Sequence, residues 1–441
     1  MKGAPVMRAA GDVQSAKTQF NADWGDTSAK TSSEAGENHK IRLLVFTSLY
    51  PNAAQPRHGV FVEERLLHLV GSGRIAATVV APVPWFPFKH RRFGAYAAFA
   101  RVPERELRNG IQILHPRYPV IPRLGMNVAP ALMYRAVFPA LKELTVGTDA
   151  CDLIDAHYFY PDGVVAARLG EATGRPVVIT ARGSDVNVIS RYRVPARQIQ
   201  WAAKKAADIV TVSEALKVKV AALGIDPEKI TVLRNGVDLG RFRPLDRGAI
   251  RAELGLAAGP VWLAVGHLVE LKGVHITLAA LARAPDATLL IAGEGPEEGR
   301  LRQLVDRSGI AARVRFLGAI PHGELCGFYN AADVMVIASS HEGMPNVVLE
   351  SLACGTPVIA APFDGVAELL SAPDAGEIAD ARSAEAIASA WVRLRSRRIE
   401  RVATRRFAEQ LGWEPVVEAQ CALYARVLST WAAGAGQGAG S

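Results

Sequence analysis

From residue 41 onward, short runs rich in β-branched residues alternate with longer amphipathic stretches, the pattern of βα units wound into parallel sheets. Runs at 41–49, 76–83, 111–118, 152–157, 176–180, 208–213 and 230–234 predict one set of strands. Runs at 262–268, 287–293, 314–318, 334–340 and 356–361 predict a second. Between the sets, Asn235-Gly236-Val237-Asp238 and Phe242-Arg243-Pro244 form a turn-rich segment suited to a linker. The chain therefore reads as α/β, with Rossmann-like domains at 40–240 and 241–413. A last helical pattern at about 414–430, with Pro415 in its first turn, is detached from the strands and is expected to cross back onto the first domain. Residues 1–39 read as a disordered leader and 432–441 as a flexible Gly/Ala tail.

Composition supports two cores, since 441 residues with 49% apolar side chains exceed what one core usually organises. Cys151, Cys326, Cys354 and Cys421 show no metal or disulfide spacing, so a reducing cytoplasm is expected. No stretch approaches the roughly 20 apolar residues that span a bilayer, which leaves a protein that is soluble or peripheral at the inner face of the membrane. A net charge of +8 favours anionic partners without choosing among nucleotide phosphates, acidic lipids and nucleic acid.

In open α/β sheets ligands bind beyond the carboxyl ends of the strands, so the chemistry is sought directly after each run. The strongest segment is His341-Glu342-Gly343-Met344-Pro345-Asn346-Val347-Val348-Leu349-Glu350. Gly343 permits close backbone approach, and a helix from about Pro345 to Ala353 would aim free N–H groups and its positive end at a diphosphate. Glu342 in the loop and Glu350 in the helix are natural acceptors for the hydroxyls of a sugar and a ribose. His157, after Leu153-Ile154 and before Tyr158-Phe159-Tyr160-Pro161-Asp162-Gly163, is placed at a strand end facing the cleft. Arg182 and Asp185 follow the next strand.

The E-x7-E spacing with Gly and Pro between resembles the signature of the retaining glycosyltransferases of family 4, which have the GT-B fold. Ser48-Leu49-Tyr50-Pro51 with Gly59 resembles the family's first loop, which closes over the donor phosphates. Asp155-Ala156-His157 resembles its catalytic-centre histidine, Asn235-Gly236-Val237-Asp238 its interdomain segment, and Gly293-Glu294-Gly295-Pro296 its G-x-G-P turn. The resemblance runs from about 41 to 430. It implies a nucleotide-sugar donor in the second domain, contacted by Gly59, Lys272, Gly343, Met344, Pro345, Asn346, Val347 and Glu350, with the base near Leu317. Val265-Gly266-His267 departs from the family, which usually has Arg where His267 stands, so His267 is either a weaker phosphate contact or a strand-end histidine satisfied by backbone. Arg182 likewise stands where His is frequent, and both Arg182 and Asp185 are candidates for sugar or acceptor contacts.

The resemblance further implies retention by front-face displacement, in which the leaving diphosphate helps take the acceptor proton, Glu342 positions the sugar and His157 contacts sugar or acceptor. No D-x-D triplet occurs, so neither metal nor other cofactor is expected. A nucleotide-sugar epimerase of the same fold is the competing enzyme. A dinucleotide oxidoreductase fits less well, since in Gly293-Glu294-Gly295-Pro296-Glu297-Glu298-Gly299 the third glycine comes one place late. Trp85-Phe86-Pro87-Phe88-Lys89-His90-Arg91-Arg92-Phe93, continuing to Tyr96 and Phe99, reads either as a contact for an anionic membrane, with a lipid-linked or polysaccharide acceptor, or as a loop with a solvated basic face. A nucleic-acid partner is not expected.

Overall fold

The structure, a computed structural model, describes residues 40–438 apart from 91, 93, 122–124 and 146–149. The leader therefore lies outside the described residues, as do Arg91 and Phe93 of the aromatic and basic segment. The first strands are β1 (Ile41–Phe46), β2 (Ile75–Val80), β3 (Val83–Pro84), β4 (Arg105–Arg108), β5 (Ile111–Leu114), β6 (Arg117–Tyr118), β7 (Leu153–His157), β8 (Val177–Ala181), β9 (Asp208–Thr211) and β10 (Ile230–Val232). Eight of them form a sheet of order β10-β9-β8-β7-β1-β2-β5-β4, parallel except for β4. The second half contributes β11 (Val261–Val265), β12 (Thr288–Ala292), β13 (Val314–Gly318), β14 (Val334–Ile337), β15 (Val358–Ala360) and β16 (Gly376–Ile378), all parallel, in the order β13-β12-β11-β14-β15-β16.

Central strands are apolar on both faces because helices cover both. In β7, Ile154 and Ala156 pack into one core layer and Leu153 into the other. In β14, Met335 and Ile337 divide from Val334 and Val336 in the same way. The run expected at 111–118 is two strands, because Pro116 cannot donate to the ladder; its second piece, β6, pairs with β3 outside the large sheet.

The C-terminal helix, Trp413–Gly438, does return to the first half, where Val417, Cys421, Leu423, Tyr424 and Val427 join the core around Leu43 and Val45. Each large apolar side chain buried this way stabilises the docking by roughly 1.5–3 kcal/mol. The helix runs past its expected end near 430, so residues 432–438 are helical where a flexible tail was expected. The packed turns before it nucleate the helix, and Ala432, Ala433 and Ala435 favour its continuation against the cost of Gly434, Gly436 and Gly438. The two passages between the halves lie side by side, with Val237 N–H donating to Leu411 O at 2.9 Å and Gly236 packed against Trp413.

Candidate functional site

Both sheets have a switch point, β1 between β7 and β2 and β11 between β12 and β14, where successive connections leave in opposite directions. The segments leaving β8 and β14, beside these switch points, meet across a cleft. Their contact is backbone to backbone: a Cβ on Gly343 would overlap the carbonyl of Arg182, and one on Gly183 would meet Gly343. Gly59 is constrained on the first loop, with φ 74° and the carbonyl of Leu49 where a Cβ would stand.

On the second half, Lys272 ends a short turn after β11 and its Nζ donates to Glu342 Oε1 at 2.6 Å. Glu342 is largely covered, at 11% side-chain exposure, whereas Lys272 is 36% exposed. The helix Asn346–Ala353 begins directly after Pro345, and no side chain caps it. Val348 N–H donates to Pro345 O at 3.0 Å, which leaves the N–H groups of Asn346 and Val347, with the helix dipole, to face an anion. Met344 packs against the cores of both halves, and its Sδ accepts from Asn235 N–H at 3.1 Å. Val347 and Leu317 are half-buried beside the second core. His267 is exposed, and among the described residues its ring has no hydrogen-bond partner.

Glu350, eight residues on, faces inward with both oxygens engaged: His322 Nε2 donates to Oε1 at 2.8 Å and the Tyr329 hydroxyl to Oε2 at 2.8 Å. His322 also lies with Nδ1 3.3 Å from Oε1 of Glu64, on the first-half helix Val60–Gly71, and Glu64 pairs in turn with Arg241. Burial opposes a charge on His322, but its bonds to Glu350 and Glu64 prevail and push its pKa up to about 10.

On the first half the charged groups are sealed. His157 is 1% exposed. Its Nδ1 lies 2.7 Å from Arg182 Nη2 and its Nε2 3.1 Å from Asp155 Oδ2. Arginine only donates, so Nδ1 is the acceptor and Nε2 carries the hydrogen. Neither ring nitrogen is left for a sugar in this arrangement. Burial pushes the imidazole down against the pull of Asp155, so the ring is neutral. Asp155 accepts a second bond, at 2.7 Å, from the hydroxyl of Tyr424 on the C-terminal helix. Arg182, pushed down to about 9 by burial and by the neighbouring Arg65, also donates to Asn235 Oδ1 at 3.1 Å. Asn235 Nδ2 continues to Asn346 Oδ1 at 2.8 Å. One hydrogen-bonded chain thus joins Tyr424, Asp155, His157, Arg182, Asn235 and Asn346, ending at the first residue of the uncapped helix.

Asp185, expected as a sugar or acceptor contact, is bonded to backbone N–H groups of its own loop and of the segment after β7. It is fully buried and accepts from Phe159 N–H at 2.7 Å and Gly183 N–H at 2.8 Å. Asp162, which closes the segment after β7, accepts from the N–H and hydroxyl of Ser48 at 2.7 and 2.8 Å. Burial nevertheless pushes its carboxyl up to about 7.

Residues 246–410 match the family model of glycosyl transferases group 1, and residues 102–241 match that of glycosyltransferase family 4. Over 346 residues, 75% of this chain and 83% of the relative, the sequence is 31% identical to TuaC of Bacillus subtilis (strain 168), named as a glycosyltransferase of teichuronic acid biosynthesis. The chain belongs to the family 4 glycosyltransferases. A D-inositol 3-phosphate glycosyltransferase of Mycobacterium bovis (strain BCG / Pasteur 1173P2) is 34% identical over 239 residues, 51% of this chain and 49% of that protein. The fold is shared with sucrose-phosphate synthase of Thermosynechococcus elongatus, at TM-score 0.72 and 21% identity over 89% of this chain and 100% of that one. Anabaena HepE in complex with UDP and glucose gives TM-score 0.66 at 21% identity, with the same coverage. The architecture is GT-B, two Rossmann-like domains facing one cleft.

Within this glycosyltransferase, several groups at the cleft escape a motif search. Arg57, on the first loop, reaches across to Glu294 of the G-x-G-P turn at 2.9 Å. Asn235 was visible as part of the linker, yet its side chain joins Arg182 to Asn346. His322, Tyr329 and Glu64 carry no recognisable spacing; the only signal is that a buried Glu350 requires donors from somewhere. The four cysteines are all free and buried, and the fold brings Cys326 and Cys354, 28 residues apart, to 3.8 Å between sulfurs.

Proposed function

We propose that this glycosyltransferase moves a hexosyl group from a nucleoside diphosphate sugar to an acceptor hydroxyl with retention at the anomeric carbon and without a metal. The observation that carries the reading is the Lys272–Glu342 pair beside the uncapped start of the Asn346–Ala353 helix. A diphosphate entering there gives Lys272 a doubly charged partner, and Glu342 is released to accept from the sugar hydroxyls. The helix start then supports the charge that grows on the leaving phosphate. The bond from the anomeric carbon to the phosphate oxygen breaks, the bond to the acceptor oxygen forms on the same face, and the acceptor proton passes to the departing phosphate.

His157 acts in this reading by holding Arg182 and the first-half loop against Gly343. The family's usual arginine is absent at His267, so the cations offered to the diphosphate are Lys272 and Arg57, with the His267 ring beside them as a hydrogen-bonding group. No group of three or more His, Cys, Asp or Glu suited to a metal occurs among the described residues, and the chemistry of the site is cationic. A uridine donor is supported by the UDP-bound structural neighbours. Polysaccharide or glycolipid assembly is supported by the name of the Bacillus relative.

Acceptor delivery at an anionic membrane is a further part of this reading. Trp85, Phe88 and Tyr96 are each more than half exposed, beside the exposed Lys89, His90 and Arg92. No helix among the described residues is long and apolar enough to cross a membrane. Family membership favours transfer over donor epimerisation. Turnover of UDP-glucose, UDP-galactose and GDP-mannose in EDTA, followed by anomeric NMR with and without a glycan acceptor, tests the proposal. Acceptor-dependent formation of a glycoside with the donor's own anomeric configuration is expected. Interconversion of donors without acceptor, an inverted product, or turnover only after metal is added would each overturn it.

A further inference from the structure

We propose that His322 is a positioning residue for the ribose of the donor, fixing the Glu350 carboxylate and tying it to Glu64 on the opposite half of the cleft. This rests on the donor reading above. Glu350 is 5% exposed, and a carboxylate taken that far from water must have its lone pairs met. His322 Nε2 meets Oε1 and the Tyr329 hydroxyl meets Oε2, each at 2.8 Å. Two donors approaching from fixed elements set both the position and the plane of the carboxylate. Each oxygen keeps one lone pair, and these two acceptors lie the width of one carboxylate apart, the spacing that a cis-diol can bridge.

The second bond of His322 makes the arrangement more than local. Nε2 lies 2.8 Å from Glu350, while Nδ1 lies 3.3 Å from both Glu64 Oε1 and Arg241 Nη1, and the two flanking carboxylates hold the ring as an imidazolium against that guanidinium. Arg241 comes from the linker and pairs with both Glu64 and Asp238. The ring of Phe242, with its centroid 5.2 Å away, closes one side. Glu64 lies on the helix Val60–Gly71, which starts immediately after Gly59 of the first loop. Ribose recognition on the second half and the loop of the first half therefore share one bridge.

A bridge that only holds the halves together would weaken every nucleotide alike when cut. One that orients Glu350 must change how strongly the ribose hydroxyls are sensed. UDP, GDP and ADP are titrated calorimetrically into the full-length protein, and the tightest binder is compared with its 2′-deoxy counterpart. In the wild type, loss of the hydroxyl is expected to weaken binding about tenfold, the usual effect of losing one hydrogen bond to a charged group. In His322→Ala that ratio should collapse to within about twofold, with the ribonucleotide bearing nearly all the loss. Glu64→Gln, nearly isosteric and out of contact with Glu350, keeps the test valid if the alanine variant does not fold, and should lower the ratio about threefold. A ratio unchanged in either folded variant overturns the inference while leaving the donor reading intact. If the wild type binds none of the three nucleotides, the donor reading fails and this inference falls with it.

Discussion

The two lips of the cleft handle charge in opposite ways. On the second half, the partly exposed Lys272 and the largely covered Glu342 have, among the described residues, a single side-chain partner each, so either can exchange that partner for a ligand group. On the first half, Asp155, His157 and Arg182 are buried and bonded to one another and to Tyr424 and Asn235. Charges removed from water persist only where other fixed groups replace the solvent, and once so satisfied they serve as scaffold. The first half supplies rigidity, whereas the second supplies cations and acceptors that can change hands.

The sharpest break of this contrast is Asp155→Ala. It leaves Arg65 and Arg182 buried beside a vanished countercharge, and a loss of about 3–5 kcal/mol is expected in urea unfolding. Lys272→Ala should do the reverse. Lys272 is partly exposed but Glu342 is largely covered and loses its partner, so a stability loss of about 1–2 kcal/mol is expected, smaller than that of Asp155→Ala, while loss of one positive group at the leaving phosphate should lower kcat/KM by about 10²–10³. Equal stability losses in the two variants would erase the distinction between the lips.

A third test uses pH. The Asp162 carboxyl ordinarily ionises near 3.8 and is pushed up to about 7 in the folded chain. Between those values the folded state holds a proton that the unfolded state has lost, so this group's contribution to stability falls as pH rises from about 4 to about 7 and is level above that. Asp162→Asn should remove that slope from a series of urea midpoints, and an unchanged slope would assign it to another group. The smallest effect is expected from Arg57→Ala. Its pair with Glu294 is more than half exposed on both sides, so a stability change under about 1 kcal/mol is expected. Any larger consequence should appear in donor affinity, measured by calorimetry.

What the sequence disclosed follows the same contrast. The lip proposed to hold the donor is written in one continuous stretch, a strand, a loop and a helix from Val334 to Ala353, so local spacing was enough to bring Glu342, Gly343 and Glu350 onto one loop and helix. The first lip is assembled from distant positions. The bonds of Arg182 to His157 and to Asn235 span 25 and 53 residues, and that of Tyr424 to Asp155 spans 269. Position alone located His157 at a strand end but could not reveal that both its nitrogens are occupied. The same holds for Asp185, since a carboxylate bonded to backbone N–H groups and one facing a ligand look alike in a string of letters. Sheet boundaries were legible wherever both faces are apolar. They failed at β4 and β16, whose short, partly polar segments leave little periodic signal.

The most direct test of the donor lip is calorimetric binding of UDP, GDP, ADP and their sugar conjugates in EDTA to the wild type, Lys272→Ala and Glu350→Ala. The account predicts that one nucleotide binds without metal and that both substitutions weaken it by about tenfold or more. A wild type that binds none of them, or binds one with an affinity that neither substitution alters, would contradict it.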